Sequence, residues 1–253
     1  MRSVQTVMRL GKLWMAEADL GDFRVRAVLI PGKERVVIWD TLSHPDDMQV
    51  FLPMISGREQ VIVYSHADWD HVWGTAGLAH RHTAIVAHEL CRERFAAEVP
   101  AVLAEKIAED PARWQAVQLF PPTVTFADRY AIRLGSTEFF LHYLPGHTGD
   151  SIVGFLPEDG VLLAGDAVET PLPQVPAGSD LVRWIEELRR WRMDRLVKTV
   201  IPAHGAIGGT ELIAKNIAYL EHLQRGEEPA MPETLDDFYR ETHRENVLIW
   251  CGK

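Results

Sequence analysis

Ser65-His66-Ala67-Asp68-Trp69-Asp70-His71 is the densest run of chemically reactive side chains in this sequence of 253 residues. Four side chains that can bind a metal ion fall within six residues, directly after the apolar run 61–64. If the strand continued through this run, charged groups would lie against apolar neighbours, where unpaired charges cost several kcal/mol each. A turn that wraps around cations removes this conflict. The run therefore predicts a metal-binding turn at the end of a buried strand.

Three further loops share this design. Each presents a His or an Asp just after a short apolar run and beside a glycine, which permits unusual backbone turns. They read Pro-Gly-His-Thr-Gly-Asp at 145–150, Gly-Asp at 165–166 and Pro-Ala-His-Gly at 202–205. Taken alone, residues 65–71 have an alternative interpretation, a solvated acidic turn. Four such loops favour a site assembled along one edge of a sheet structure.

Short runs rich in Val and Ile indicate a fold built in two β-rich halves. Runs of this length are typical of strands that are buried on both faces, in a sheet covered by helices. The predicted strands cover residues 25–30, 35–39, 61–64 and 84–87 in the first half, and 131–134, 138–144, 152–156, 161–164 and 199–201 in the second.

Helical spacing of Ala, Glu, Arg and Leu begins at about residue 88 and lasts to about residue 120. Pro100 and Pro111 interrupt the pattern, so we predict two or three short helices there, as a candidate lid. Two longer amphipathic helices follow, one capped by Ser179 and one that runs from Thr210 to about Gln224. The apolar stripe of the first is predicted to be core and consists of Leu181, Ile185, Leu188 and Trp191.

The tail, residues 226–253, is acidic and then amphipathic, and it matches no motif. No low-complexity linker or short-period repeat divides the chain. We therefore predict that residues 1–253 form a single domain.

Composition argues against several classes of partner. Lys plus Arg (26) against Asp plus Glu (36) gives a net charge of −10, which should repel nucleic acids and anionic membranes. The two cysteines, Cys91 and Cys251, lie far apart and suggest neither a disulfide framework nor a cysteine metal site. No export signal is visible, and no apolar run approaches the ~20 residues that cross a bilayer. We expect a cytoplasmic protein that acts on a small molecule; the sequence carries no signal for oligomeric state.

The order and spacing of the four loops resemble the metallo-β-lactamase superfamily. Its pattern is HxHxDH, followed by His, Asp and His in separate strand-end loops, and the resemblance covers about residues 24–224. The loops SHADWDH, PGHTGDS, AGDAV and PAHG are similar to those of its hydrolases, including the glyoxalase II type. The resemblance implies an α/β fold, an αββα sandwich of two mixed sheets covered by helices on both outer faces. It also implies a dinuclear metal site at the sheet edges.

The resemblance further implies which residues hold the two divalent metal ions. The first metal would be bound by His66, Asp68 and His147, the second by Asp70, His71 and His204, and Asp166 would bridge the two. Catalytic roles fall to Asp70, His71 and Asp166, with Asp70 steering the attacking water or relaying a proton.

Asp68 departs from the family, which usually has a histidine at this position. A carboxylate binds zinc at ~2.0 to 2.2 Å, but its negative charge moves the preference of the site toward iron or manganese. Two zinc ions are the predicted cofactors, and iron or manganese are the alternatives. A vacated first site is a further possibility.

The predicted function is hydrolysis of an ester, a thioester, a lactone or a related small molecule by water that a dinuclear metal centre activates. One alternative is an iron-dependent oxidoreductase on the same scaffold. Iron-using relatives have a carboxylate in place of the second histidine, as this chain does at Asp68. The diiron reductases carry an additional flavin-binding domain, for which this chain has no room. The other alternative is a non-catalytic, metal-binding member of the family.

Several residues near the loops have two interpretations. Asp40 follows the strand 35–39 and could accept an N–H from a ligand ring or cap a helix or turn. The same ambiguity applies to Ser65, Thr148, Asp150 and Ser151. Trp69 is predicted to line a substrate pocket, whereas Trp73, Trp114 and Phe120 are predicted to fill the core. The remaining histidines receive no role: His44, His80, His82, His88, His142, His222 and His243.

Overall fold

The computed structural model describes residues 4–78, 83–231 and 235–253. These residues form two mixed β-sheets with helices, which confirms the predicted α/β class. The chain divides into two compact units, Met1–Phe139 and Phe140–Lys253. A single domain over the whole chain stays a prediction.

The first sheet has seven strands in the order of the chain. Its first four strands pair antiparallel, and from the fourth strand onward the pairing is parallel. Because neighbouring parallel strands end at one edge, the loops that follow them, including 65–71, meet at that edge. The strands are β1 (Val4–Leu10), β2 (Leu13–Asp19), β3 (Arg24–Pro31), β4 (Arg35–Trp39), β5 (Glu59–Val63), β6 (Ala84–His88) and β7 (Val124–Phe126).

The predicted strands of the first half are confirmed as β3 to β6. The hairpin of β1 and β2 was not predicted, because it mixes polar with apolar residues instead of forming a continuous apolar run. Gly11 forms its turn with a φ of 57°, a left-handed conformation that glycine adopts without strain.

The helices of the first unit include those predicted for the candidate lid. Pro100 and Pro111 lie in the first turns of two of them, where a missing N–H costs no hydrogen bond. The role as a lid stays a prediction. The α-helices are α1 (Leu52–Ile55), α2 (Trp69–Val72), α3 (Glu89–Ala97), α4 (Val99–Glu109) and α5 (Pro111–Trp114), and two 3-10 helices cover Pro45–Phe51 and Trp73–Gly77.

The second sheet has the order β12-β11-β10-β9-β8. Its described pairings are antiparallel on both sides of β10 and parallel between β11 and β12, so β9, β11 and β12 run in the same direction. The loops after these three strands carry His147, Asp166 and His204 at one edge. The predicted strands are confirmed as β8 (Arg129–Arg133), β9 (Glu138–Tyr143), β10 (Ile152–Leu156), β11 (Val161–Gly165) and β12 (Thr199–Pro202).

Three long helices complete the second unit: α6 (Leu181–Met193), α7 (Thr210–Gln224) and α8 (Asp237–Cys251). The apolar stripe predicted for α6 is buried. The predicted cap Ser179 is wrong, since Asp180 precedes the first helical residue and its carboxylate accepts the N–H of Arg183 at 3.0 Å. Helix α7 begins at Thr210, as predicted.

Helix α8 lies in the tail that matched no motif. It contributes Tyr239 to the same apolar core as Trp184 of α6 and Leu220 of α7. Helix α8 is therefore part of the second unit's core. No helix of residues 4–78, 83–231 and 235–253 has the length and apolar character needed to cross a membrane.

Candidate metal centre

The four candidate ligands of the first unit are here called the first ligand set: His66, Asp68, Asp70 and His71. They follow β5, and Asp68 is the N-cap residue of the short helix α2. His66, Asp70 and His71 are buried, and the rings of the two histidines lie 4.1 Å apart between centroids. The short helix therefore gathers donors that the sequence spaces over six residues.

Asp40 and Ser65 orient the two histidine rings. Asp40 Oδ2 accepts a hydrogen bond from His71 Nδ1 at 2.9 Å and one from the Ser65 hydroxyl at 2.8 Å. Because the single hydroxyl proton of Ser65 goes to Asp40, Ser65 Oγ accepts the proton of His66 Nδ1, at 2.9 Å. Both rings thus carry their proton on Nδ1, so that the Nε2 lone pairs can bind a metal ion.

Asp40 is held in a strained conformation to do this. It is fully buried, and its φ of 58° is uncommon for a residue other than glycine. The backbone N–H of Ser65 donates to Asp40 Oδ1 at 2.7 Å, in addition to the two bonds to Oδ2. Of the two interpretations left open for Asp40, the structure shows the contact with the ring of a candidate ligand, His71.

The donor atoms of the first ligand set lie close to the spacing of two ligand atoms on one metal ion. His66 Nε2 lies 3.4 Å from Asp68 Oδ2, and His71 Nε2 lies 3.7 Å from Asp70 Oδ2. Two ligand atoms of one tetrahedral zinc ion, each about 2.0 to 2.2 Å from the metal, are about 3.3 to 3.6 Å apart. The residues present therefore fit a bound divalent metal ion.

Arg94 of α3 pairs with Asp68, the unusual member of the first ligand set. Its Nη2 lies 2.7 Å from Asp68 Oδ1, and its Nε bonds to Glu98, so the guanidinium joins two carboxylates. The contact uses one oxygen of Asp68, while the other faces His66. The positive charge of Arg94 offsets the negative charge that Asp68 adds. Sequence reasoning missed Arg94, which lies 26 residues away in an ordinary helical pattern.

The second unit holds the second ligand set: His147, Asp166 and His204. All three are buried. Asp166 Oδ2 lies 3.6 Å from His147 Nε2 and 3.4 Å from His204 Nε2. One carboxylate oxygen is therefore within ligand spacing of two imidazoles, which fits a single shared metal ion as well as a bridge between two.

A backbone carbonyl orients the ring of His147. Its Nδ1 donates to the carbonyl of Gln174 at 3.2 Å, so that Nε2 can bind a metal ion. The segment around Gln174 is held by α8, whose Asn246 accepts the N–H of Val175 at 2.9 Å and donates to the carbonyl of Pro173 at 2.8 Å. Trp250 donates to the carbonyl of Val175 at 3.0 Å. The C-terminal helix thus supports a candidate metal ligand.

Glu169 is a further acidic group that sequence reasoning missed. One of its oxygens lies within 4.8 Å of donor atoms of His147 and Asp166. Burial, and then the charge of Asp166, raises the pKa of its carboxyl to about 7. Its backbone is held by Asn216 of α7, which both donates to and accepts from it, at 2.8 and 3.1 Å. The only sequence signal was its position three residues after Asp166.

Two glycines of the strand-end loops are needed for close packing. A Cβ on Gly146 would lie 2.3 Å from the ring of Trp184. A Cβ on Gly205 would lie 2.0 Å from the carbonyl oxygen of Thr170, and its φ of +87° is left-handed. The glycines beside His147 and His204 therefore let these loops lie against their neighbours.

Other residues singled out in the sequence have structural contacts. The hydroxyls of Thr148 and Ser151 lie 2.7 Å apart and close the turn after His147. His88 donates from Nε2 to the carbonyl of Ala127 and caps α3 through Nδ1. Trp73 and Trp114 are buried, as predicted for core residues, and Asp150 is buried too. His80 and His82 lie outside the described residues.

Comparison with known structures shows the fold. A metallo-β-lactamase from Pontibacter korlensis is 22% identical, with a TM-score of 0.67 over 85% of this chain and 98% of that one. The FIM-1 enzyme from Pseudomonas aeruginosa, in its mono-zinc form, is 18% identical, with a TM-score of 0.63 over 87% and 96%. A metallo-β-lactamase from Erythrobacter litoralis is 18% identical, with a TM-score of 0.61 over 86% and 100%.

Comparison at the level of sequence shows the family. No curated protein sequence matches the chain. The sequence profile of the Metallo-beta-lactamase superfamily matches residues 20–204, which is more than half of the chain and includes every residue of both ligand sets. The chain belongs to the metallo-β-lactamase superfamily.

Proposed function

We propose that the two ligand sets together hold two divalent metal ions and that the protein is a hydrolase. The first metal would be held by His66, Asp68 and His147 and the second by Asp70, His71 and His204, and Asp166 would be shared between them. The observation that carries the proposal is the spacing of donor atoms within each set, 3.4 to 3.7 Å between imidazole Nε2 and carboxylate Oδ2. Membership in the superfamily supports joining the sets, since its match includes all seven residues.

Zinc is the proposed metal. Imidazole and carboxylate donors suit zinc, and a relative with this fold is described in a mono-zinc form. Asp68 alone would favour iron or manganese, but its contact with Arg94 offsets the added charge. The net charge of the donors around the first metal is then close to that of a site with three histidines.

The proposed reaction is hydrolysis of an ester, a thioester, a lactone or a related bond in a small molecule. Divalent metal ions supply a Lewis acid for the carbonyl and lower the pKa of water toward neutrality. Asp70, with 6% of its surface exposed, can accept a proton from water and orient it. Asp40 and Ser65 hold the rings of His71 and His66 so that each Nε2 lone pair can bind the metal ion.

The finer predictions from the sequence remain proposals. These are the likeness to the glyoxalase II type, the cytoplasmic location, and a small-molecule substrate in place of a nucleic acid or a membrane. The net charge of −10 supports the exclusion of nucleic acid.

The test measures metal and turnover in the same samples. Elemental analysis of the purified wild-type protein should find zinc, and a panel of esters, thioesters and lactones should include a substrate. His71→Ala and Asp166→Ala should each lose metal, and activity should fall more than ~100-fold. Removal of a residue that only hydrogen-bonds to a metal ligand costs up to ~100-fold, and removal of the ligand itself should cost more. His222→Ala, which changes a histidine outside both ligand sets, should retain both.

Two outcomes would contradict the proposal. One is full activity in the His71→Ala and Asp166→Ala variants without bound metal. The other is tightly bound iron with oxygen consumption and no hydrolysis of any panel member, which would favour the oxidoreductase.

A further inference from the structure

A cavity of about 180 Å³ lies in the first unit, beside the first ligand set. Ala67, Asp68 and Trp69 form one side of it, and these residues stand between the ligands His66 and Asp70 in the chain. The helices α3 and α4 form the opposite side. The cavity therefore shares a residue, Asp68, with the candidate metal centre.

Most of the side chains that line the cavity are aromatic or aliphatic. Trp69 and Trp73 lie 5.8 Å apart between ring centroids, and Val99 and Val102 of α4 face the same space. Trp114 packs edge-on against both indoles, at 5.5 Å from each. Rings held by such neighbours lose little freedom when a ligand arrives, so the wall is preorganised.

The polar groups that line the cavity bond to one another. Arg94 contacts both Asp68 and Glu98, so one positive and two negative side chains lie together. Because these charges are already paired, an uncharged apolar group can enter without leaving a single charge buried alone. The cavity accordingly suits a neutral ring better than an anion.

We propose that this cavity binds an aryl ring, or an apolar group of similar bulk, on the substrate. A cavity of about 150 Å³ with apolar walls is large enough for benzene, and this one is slightly larger. Since Trp69 lies between the ligands Asp68 and Asp70, a ring held against it places the rest of the substrate beside the first ligand set. This substrate class rests on the proposed hydrolase function, but binding of the ring itself does not.

The first measurement tests binding without chemistry. Fluorobenzene carries no metal-binding atom, and its ¹⁹F resonance should broaden and shift with the wild-type protein as purified. Val102→Trp places an indole in the cavity and should weaken this binding at least tenfold. Val182→Trp adds the same indole to α6, at a residue with 55% of its surface exposed, and should bind fluorobenzene as the wild type does. Val102→Phe provides a smaller obstruction in case the tryptophan variant does not fold.

The second measurement tests the link to catalysis. Methyl phenylacetate should have a lower KM than methyl acetate, and Val102→Trp should raise the KM for the phenyl ester at least tenfold more than the KM for methyl acetate, whereas Val182→Trp should change neither. If fluorobenzene does not bind, or binds to Val102→Trp unchanged, the proposal is overturned. If it binds as expected but no ester, thioester or lactone is hydrolysed, the ring site stands and the hydrolase function fails.

Discussion

The two ligand sets present the same kinds of donor atom, imidazole nitrogen and carboxylate oxygen, but are held in place in different ways. In the first set, the side chain of Asp40 reaches from the end of β4 to the ring of His71, which belongs to a run of seven residues. In the second set, three separate loops supply the ligands, and the ring of His147 is oriented by the backbone carbonyl of Gln174. The position of that carbonyl depends on Asn246, in the last helix.

This difference shows where each set is vulnerable. The first set depends on one buried carboxylate in the loop beside it. The second depends on the packing of α8, which holds the segment around Gln174. That helix lies beyond residues 20–204, the part that matches the superfamily. Substitutions at Asp40 and Asn246 therefore test two kinds of support for the same chemistry.

The largest change in metal affinity among these support residues is expected from Asp40→Asn. An amide cannot accept from His71 Nδ1, Ser65 Oγ and Ser65 N–H at once, so the His71 ring loses its fixed tautomer. Loss of such a partner costs ~10- to 100-fold in metal affinity. Competition with a chelator measures it, on the purified protein.

Thr75→Val is the matched control for Asp40→Asn. Thr75 is fully buried in the same region, and its described hydrogen bonds go to Thr41, Tyr64 and the carbonyl of Val72. It should lower the free energy of unfolding while leaving metal affinity close to that of the wild type. Equal loss of affinity in both variants would show that Asp40 acts through stability alone.

A smaller effect is expected from Asn246→Ala. Removing the amide frees the segment that holds Gln174, so the carbonyl shifts from His147 Nδ1 and metal affinity falls ~10-fold. The unsatisfied N–H of Val175 and the unsatisfied carbonyl of Pro173 should also each cost ~1 to 3 kcal/mol of unfolding free energy. Chelator competition and urea unfolding measure the two effects.

Thr242→Val separates the two effects of Asn246→Ala. Thr242 is buried in the same helix, and its hydroxyl donates within that helix, to the carbonyl of Phe238 at 3.0 Å. It should reduce stability without reducing metal affinity. If affinity is unchanged in Asn246→Ala as well, the tail does not position His147.

The sequence could predict what depends on local pattern. Apolar runs located the strands that precede the ligands, and His66, Asp68, Asp70 and His71 stand out because they crowd one loop. The amphipathic period identified α6 and α7, although Asp180 and not Ser179 caps the former.

What the sequence could not predict depends on contacts between distant residues. Arg94 lies 26 positions from Asp68, and Asn246 lies 71 positions from Val175. Each is a common residue in a helix, with no motif to mark it. The available signal was the polar side chain of Asn246 on the buried stripe of α8, beside Thr242 and His243, because a buried polar group must find a partner.

The smallest effect concerns pH and should be confined to the second unit. His243 of α8 lies against Tyr219 of α7, with Nδ1 2.9 Å from the phenolic oxygen. Burial lowers the pKa of His243, although Glu228, 4.0 Å from Nε2, acts in the opposite direction. The unfolded chain therefore takes up a proton more readily than the folded one, so this contribution to stability is complete above the ordinary histidine pKa and is lost as pH falls through the lower, folded value.

Amide hydrogen exchange at about pH 7.5 and about pH 5.5 can locate this effect, after correction for the intrinsic exchange rate. Protection in α8 should decrease at the lower pH, while protection in β3 of the first unit should not follow it. His243→Gln removes the titrating group and should make the protection of α8 less dependent on pH. Equal dependence in the variant would assign the effect to other groups. Because α8 also holds the segment that orients His147, a real effect should weaken metal binding at low pH more in the wild type than in His243→Gln.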